Sequence, residues 1–147
     1  MHDQVMRNFL IKQFEEGIRL SKESDVVTLI PNLLSGFPPT SYIARFSCHG
    51  LVKEPSGQIV VGDSFLVEIF FPPDYLRRAD SSHVVRWLRP RNVFHPNISN
   101  FVPVVCLGNL SPGTSLLQIV YQLYEIITYR KVTMREDDAF NHEACRW

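Results

Sequence analysis

Between residues 26 and 88, four short runs of strand-forming residues follow one another with turn residues between them. They are Val26-Val27-Thr28-Leu29-Ile30, Ser41 to Cys48, Ser64 to Phe71, and His83 to Leu88. β-Branched and aromatic side chains suit a pleated, half-buried surface, so such runs read as strands. Gly36-Phe37-Pro38-Pro39, Glu54-Pro55-Ser56-Gly57 and Pro72-Pro73-Asp74 punctuate them. Proline presets φ and glycine frees it, which is what tight connections need. Strands joined by turns rather than by helices predict an antiparallel meander, not βαβ units.

Two helical patterns bracket the strands. Over residues 4–20, Met6, Phe9/Leu10, Phe14 and Ile18 recur three or four apart, the period of an amphipathic helix. Arg7, Lys12, Glu15, Glu16 and Arg19 fall mostly off that stripe, and Asp3 suits the positive end of the helix dipole. Leu116, Ile119, Val120, Leu123 and Ile126/Ile127 mark a second helix over 115–129, with Thr114 or Ser115 as its cap. Tyr121, Tyr124 and Tyr129 on this segment are expected to pack. From Arg89 to Ser115, Pro90, Pro96, Pro103 and Pro112 break any long element. A loop of that length in a small domain tends to carry function. The tail, 131–147, is polar, with Phe140 and Trp147 as anchors. The expected fold is α+β in a single domain, 1–147: N-terminal helix, four-stranded antiparallel meander, active-site loop, central helix and short C-terminal tail.

A chain of 147 residues buries roughly two-thirds of its unfolded surface and needs no staple. Fifteen basic residues balance fifteen acidic ones, so no global field draws it to nucleic acid or to an acidic membrane. The N-terminus lacks the apolar run of a secretory signal. No stretch approaches the roughly 20 apolar residues of a membrane span. Cys48, Cys106 and Cys145 form no C-x-x-C pair. That fits free thiols in a reducing compartment, and the expected location is cytoplasmic.

Cys106 lies in Val104-Val105-Cys106-Leu107-Gly108, shortly after His95-Pro96-Asn97. A thiol, a rigid turn and a neutral amide donor make a compact set of parts for acyl transfer. Each has a plainer reading. A free cysteine is often a buried, inert thiol, and Asn97 after a proline is a natural turn former. His95 as a general base would make a Cys-His hydrolase, which needs a third, orienting group that the sequence does not supply clearly. A zinc site from Cys48, His49, His95 and Cys106 fails on spacing, and no metal site is read. Cys48 is expected in the core or on a strand face, and Cys145 has no assigned role.

The order of parts resembles the ubiquitin-conjugating enzymes. Phe71-Pro72-Pro73-Asp74-Tyr75 looks like the family's turn after its third strand. Phe94-His95-Pro96-Asn97-Ile98 matches its signature tripeptide with apolar flanks, and Val105-Cys106-Leu107 matches its acceptor cysteine. Asp137-Asp138-Ala139-Phe140-Asn141-His142-Glu143-Ala144 looks like its acidic gate. The likeness covers roughly residues 5–147. Leu116-Leu117-Gln118-Ile119-Val120 and the closing Ala144-Cys145-Arg146-Trp147 look closest to bacterial members. Those are encoded beside ubiquitin-like proteins, activating enzymes and deubiquitinase-like proteases, often in anti-phage operons.

The resemblance implies a transferase without a cofactor. Cys106 would accept a ubiquitin-like protein as a thioester from an activating enzyme and pass it to an amine, usually a target lysine. Asn97 would steady the oxyanion of the second step. Asp138, with Asp137 second, would orient the lysine, a helix cap being the competing role for Asp138. His95 and Pro96 would be structural. Arg7 and Lys12 on the first helix would meet the activating enzyme, against the alternative of a solvated face. The partners implied are the ubiquitin-like protein, the activating enzyme and the target. Leu76-Arg77-Arg78 stands where the family has a proline and an apolar residue that dock ligases, so ligase binding is not carried over. The loop after Cys106 is shorter than the family's and lacks its usual tryptophan. Eukaryotic members run on for two further helices. A non-catalytic ubiquitin-binding variant of the fold is the alternative, and Cys106 argues against it.

Overall fold

A computed structural model describes residues 2–130 of the chain. Its elements run α1 (His2–Glu23), β1 (Val27–Pro31), β2 (Ser41–Phe46), β3 (Gly50–Lys53), β4 (Ile59–Gly62), β5 (Phe65–Phe70), α2 (Ser81–Val84), β6 (Val85–Arg89) and α3 (Leu116–Ile127). The four expected strands form one antiparallel sheet in the order β1-β2-β5-β6. The fold is α+β, with α3 packed on α1.

Alternation decides which face of the sheet is inside. Tyr42, Ala44 and Phe46 of β2 point into the core, and so do Phe65, Val67 and Ile69 of β5. Each large apolar side chain buried this way contributes roughly 1.5–3 kcal/mol. Leu116, Ile119, Val120, Leu123, Ile126 and Ile127 of α3 join them in one buried cluster. Ser115 caps α3 in a capping box with Gln118, which selects between the two expected caps.

α1 is longer than the apolar stripe predicts. Its most buried contacts include two positions the stripe omits, Gln13 and Gly17. Gln13 Oε1 accepts the Leu116 N–H at 2.8 Å, so one helix satisfies an orphan donor of the other. A Cβ on Gly17 would stand 3.1 Å from Leu116 Cδ2, so glycine sets how closely the helices approach. Ser21 Oγ accepts from the Leu29 N–H at 2.8 Å and ties α1 to β1.

Two expectations change. Between β2 and β5 lies a separate hairpin, β3–β4, where the sequence shows only the turn at Glu54-Pro55-Ser56-Gly57. Two four-residue runs are too short to show a period. His83 and Val84, expected at the start of the fourth strand, are helical. Asp80 Oδ1 accepts from the Ser82 N–H at 3.0 Å and from its hydroxyl at 2.7 Å, and this cap holds one turn before the chain extends.

Among the described residues no helix is long and apolar enough to cross a membrane.

Candidate active site

The stretch from Arg89 to Ser115 has little regular structure, yet it is held at many points. Val52 of β3 bridges to Val93, Phe94 N–H donates to Leu51 O at 2.8 Å, and Lys53 N–H donates to Asn92 O at 2.9 Å. The unexpected hairpin is thus the rail on which residues 92–94 lie. Asn100 Nδ2 donates to the carbonyls of Val93 and Arg91, at 2.7 and 2.9 Å. Phe94, His95, Pro96, Asn97 and Ile98 are all buried.

The chain then turns through an exposed tip, where Phe101 is 93% accessible, and comes back. Ser99 N–H donates to Val104 O at 3.1 Å and Ile98 bridges antiparallel to Val105. The return ends at Cys106. Its N–H donates to Asn97 O at 2.7 Å, and Asn97 Nδ2 donates to Cys106 O at 2.9 Å. His95 Nδ1 accepts the Asn97 N–H at 2.9 Å. The imidazole is buried, and its ring centroid lies 4.5 Å from that of Tyr129. Trp87 N–H donates to Pro103 O at 3.2 Å, which joins the returning arm to β6.

After Cys106, Leu107 and Leu110 are buried anchors. Gly108 between them has φ 82°, a left-handed turn that costs glycine little. Tyr75 reaches across the fold, and its hydroxyl donates to Thr114 O at 2.7 Å. Its ring sits in a cluster with Phe9 and Phe71. The Phe-Pro-x-x-Tyr turn therefore fixes the entry to α3.

The structure brings Cys106, Asn97, His95 and Pro96 into one hydrogen-bonded loop. Cys106 is a half-buried free thiol. Cys48, just past β2, packs against the core. Burial pushes its thiol up to about 11, which keeps it protonated and a poor nucleophile near neutrality. Arg7 and Lys12 lie apart from this loop on exposed positions of α1. Arg7 Nη1 donates to Phe37 O at 3.3 Å, and Lys12 Nζ is 3.9 Å from Glu16 Oε1. Asp137, Asp138 and Cys145 fall outside the described residues.

Of the three tyrosines expected to pack, Tyr124 lies against the core and Tyr129 against His95. Tyr121 is 62% accessible and lines a groove of about 760 Å³ between α3 and the end of α1. It lies off the apolar stripe, so the helix turns it outward.

Three residues that build this site have no signal in the sequence. Asn100, Trp87 and Tyr129 act through main-chain carbonyls or a ring contact, and neither leaves a motif.

No model of a known protein family matches the chain, and no curated protein matches it.

Proposed function

We propose that the protein is a ubiquitin-like protein transferase with a ubiquitin-conjugating fold, carrying its cargo as a thioester on Cys106. The observation that carries this reading is the double hydrogen bond between Asn97 and Cys106. It sets a neutral amide beside the backbone of a half-buried free thiol. In the first step the Cys106 thiolate attacks the cargo's thioester carbonyl, and the activating enzyme's thiol leaves. In the second, an amine attacks the new thioester, the carbon–sulfur bond breaks, the amine loses a proton and Cys106 regains its thiol.

The second step passes through an oxyanion, and the neutral amide of Asn97 can donate to it at any working pH. The attacking lysine has an ordinary pKa of about 10.4. A carboxylate that orients it, Asp138 first and Asp137 second, is the group this step calls for. Arg7 and Lys12 belong to the proposed face for the activating enzyme, and the proposed setting is a bacterial cytoplasm with an anti-phage conjugation pathway. The hydrolase reading loses support, because His95 Nδ1 is committed to the Asn97 N–H.

The test is incubation with an activating enzyme, ATP and a ubiquitin-like protein. A reductant-sensitive adduct is expected, absent in Cys106→Ala. An adduct that persists in that variant sinks the reading.

A further inference from the structure

α3 closes with two nested hydrogen bonds: Tyr129 N–H donates to Ile126 O at 3.0 Å and Arg130 N–H to Glu125 O at 2.7 Å. That closure places one residue in the left-handed region, where glycine is the usual occupant. Here it is Tyr129, at φ 63°, the sole residue other than glycine with positive φ among the described residues. An L-residue pays a steric cost there that its surroundings must offset, and such positions cluster at functional sites.

The surroundings of Tyr129 are the loop that ends in Cys106. Its hydroxyl donates to Phe94 O. Its ring lies against His95, 4.5 Å between centroids and tilted by 54°. His95 Nδ1 in turn holds the Asn97 N–H, and the Asn97 amide holds the Cys106 carbonyl. Burial raises the pKa of the Tyr129 hydroxyl, so it stays a donor in neutral solution. Ending a helix needs no aromatic side chain. Here a tyrosine stands where glycine would sit more easily, and both its hydroxyl and its ring lie on this loop.

We propose that Tyr129 is a positioning residue for acyl transfer: by clamping Phe94 and His95 it holds Asn97 in register with Cys106. The proposal rests on the acyl-carrier reading of Cys106. It makes the C-terminal end of α3, and not only the loop's own residues, a determinant of the transfer rate.

The experiment uses the full chain and a synthetic glycyl peptide thioester. Thioester exchange loads Cys106 and releases the small mercaptan, and mass spectrometry confirms the site. Discharge of the peptide to free lysine is then followed against lysine concentration. Tyr129→Gly is the informative variant, because it keeps the helix closure and relieves the backbone while removing the clamp. Its limiting discharge rate should fall about tenfold, short of the roughly 10²-fold that a full 1 Å misplacement of reacting groups can cost. The half-saturating lysine concentration and the rate of Cys106 alkylation by iodoacetamide should stay within twofold of wild type. Tyr129→Phe, which loses only the bond to Phe94, should slow discharge about threefold.

Discharge from Tyr129→Gly at the wild-type rate overturns the proposal. So does a fall in which discharge and alkylation change by one common factor, since that marks a collapsed loop. If Tyr129→Gly does not fold, Tyr129→Phe decides alone, and an unchanged discharge rate overturns the proposal. The acyl-carrier reading is judged separately on wild type. Discharge no faster than from the urea-unfolded, loaded chain sinks that reading and the clamp with it.

Discussion

At the scale of single residues, Asn97 has two distinguishable duties. It closes the loop onto Cys106 through its side chain and its carbonyl, and in the proposed transfer it also donates to the oxyanion. Asn97→Ala leaves the Cys106 carbonyl without that donor, which should cost about 1–3 kcal/mol. A shift of the urea midpoint measures it, and an unshifted midpoint would show that the amide does not hold the loop. The oxyanion duty predicts a separate effect. The variant should still load Cys106 but discharge to lysine slower by about 10²-fold, the usual cost of losing one such donor. Discharge at the wild-type rate would remove Asn97 from the chemistry. Under the proposed transfer, Asp138→Ala should slow discharge and raise its apparent pH optimum, because the lysine would lose the carboxylate proposed to orient it. An unchanged pH profile would count against that role. Cys106 and the His-Pro-Asn tripeptide were legible from sequence because their types and spacing are the signal. Tyr129 was not, because its role depends on a ring contact made 34 residues away from His95 in the chain.

At the scale of elements, period made the helices legible. Leu116, Ile119, Val120, Leu123, Ile126 and Ile127 of α3 recur over three turns, and the structure buries each of these six. The hairpin β3–β4 was hidden because its strands have four residues each, and only its turn chemistry stood out. Tertiary contact is what holds it. A Cβ on Gly50 would meet Phe65 Cζ at 2.7 Å and the Ile127 carbonyl at 2.9 Å, so the hairpin is pressed between β5 and the end of α3. Gly50→Ala should therefore destabilise the protein by about 1–3 kcal/mol, as overpacking does. Thermal unfolding checks it, and a neutral result would mean the hairpin can lift away. Gln13→Ala tests the joint between helices in the same way. The Leu116 N–H would lose its acceptor in a buried place, at a cost of about 1–3 kcal/mol. A midpoint equal to wild type would mean that another acceptor takes its place.

At the scale of the whole molecule, burial of neutral acids links stability to alkaline pH. Burial pushes Cys48 up to about 11, and Tyr42 and Tyr75 up to about 12. A folded-state pKa above the unfolded one means the native form binds the proton longer. Its stabilisation is complete below the unfolded pKa and is lost as pH rises through the folded value. The melting temperature should therefore fall between pH 9 and pH 12. Cys48→Ala should lessen the fall in the lower part of that window, by a modest amount because the thiol is half-exposed. A variant that tracks wild type throughout would show that the thiol is not held back by burial. The sequence by itself determined the two amphipathic helices, the four main strands and their antiparallel joining. It also determined the nearness of His95, Pro96 and Asn97 to Cys106 along the chain. These follow from local period, turn residues and short separation, which act before any distant contact forms. Only the tertiary structure decided which polar groups close the loop on Cys106, that a hairpin supports it, and that the end of α3 reaches it through Tyr129. Those depend on groups far apart in sequence satisfying one another once the core has brought them together.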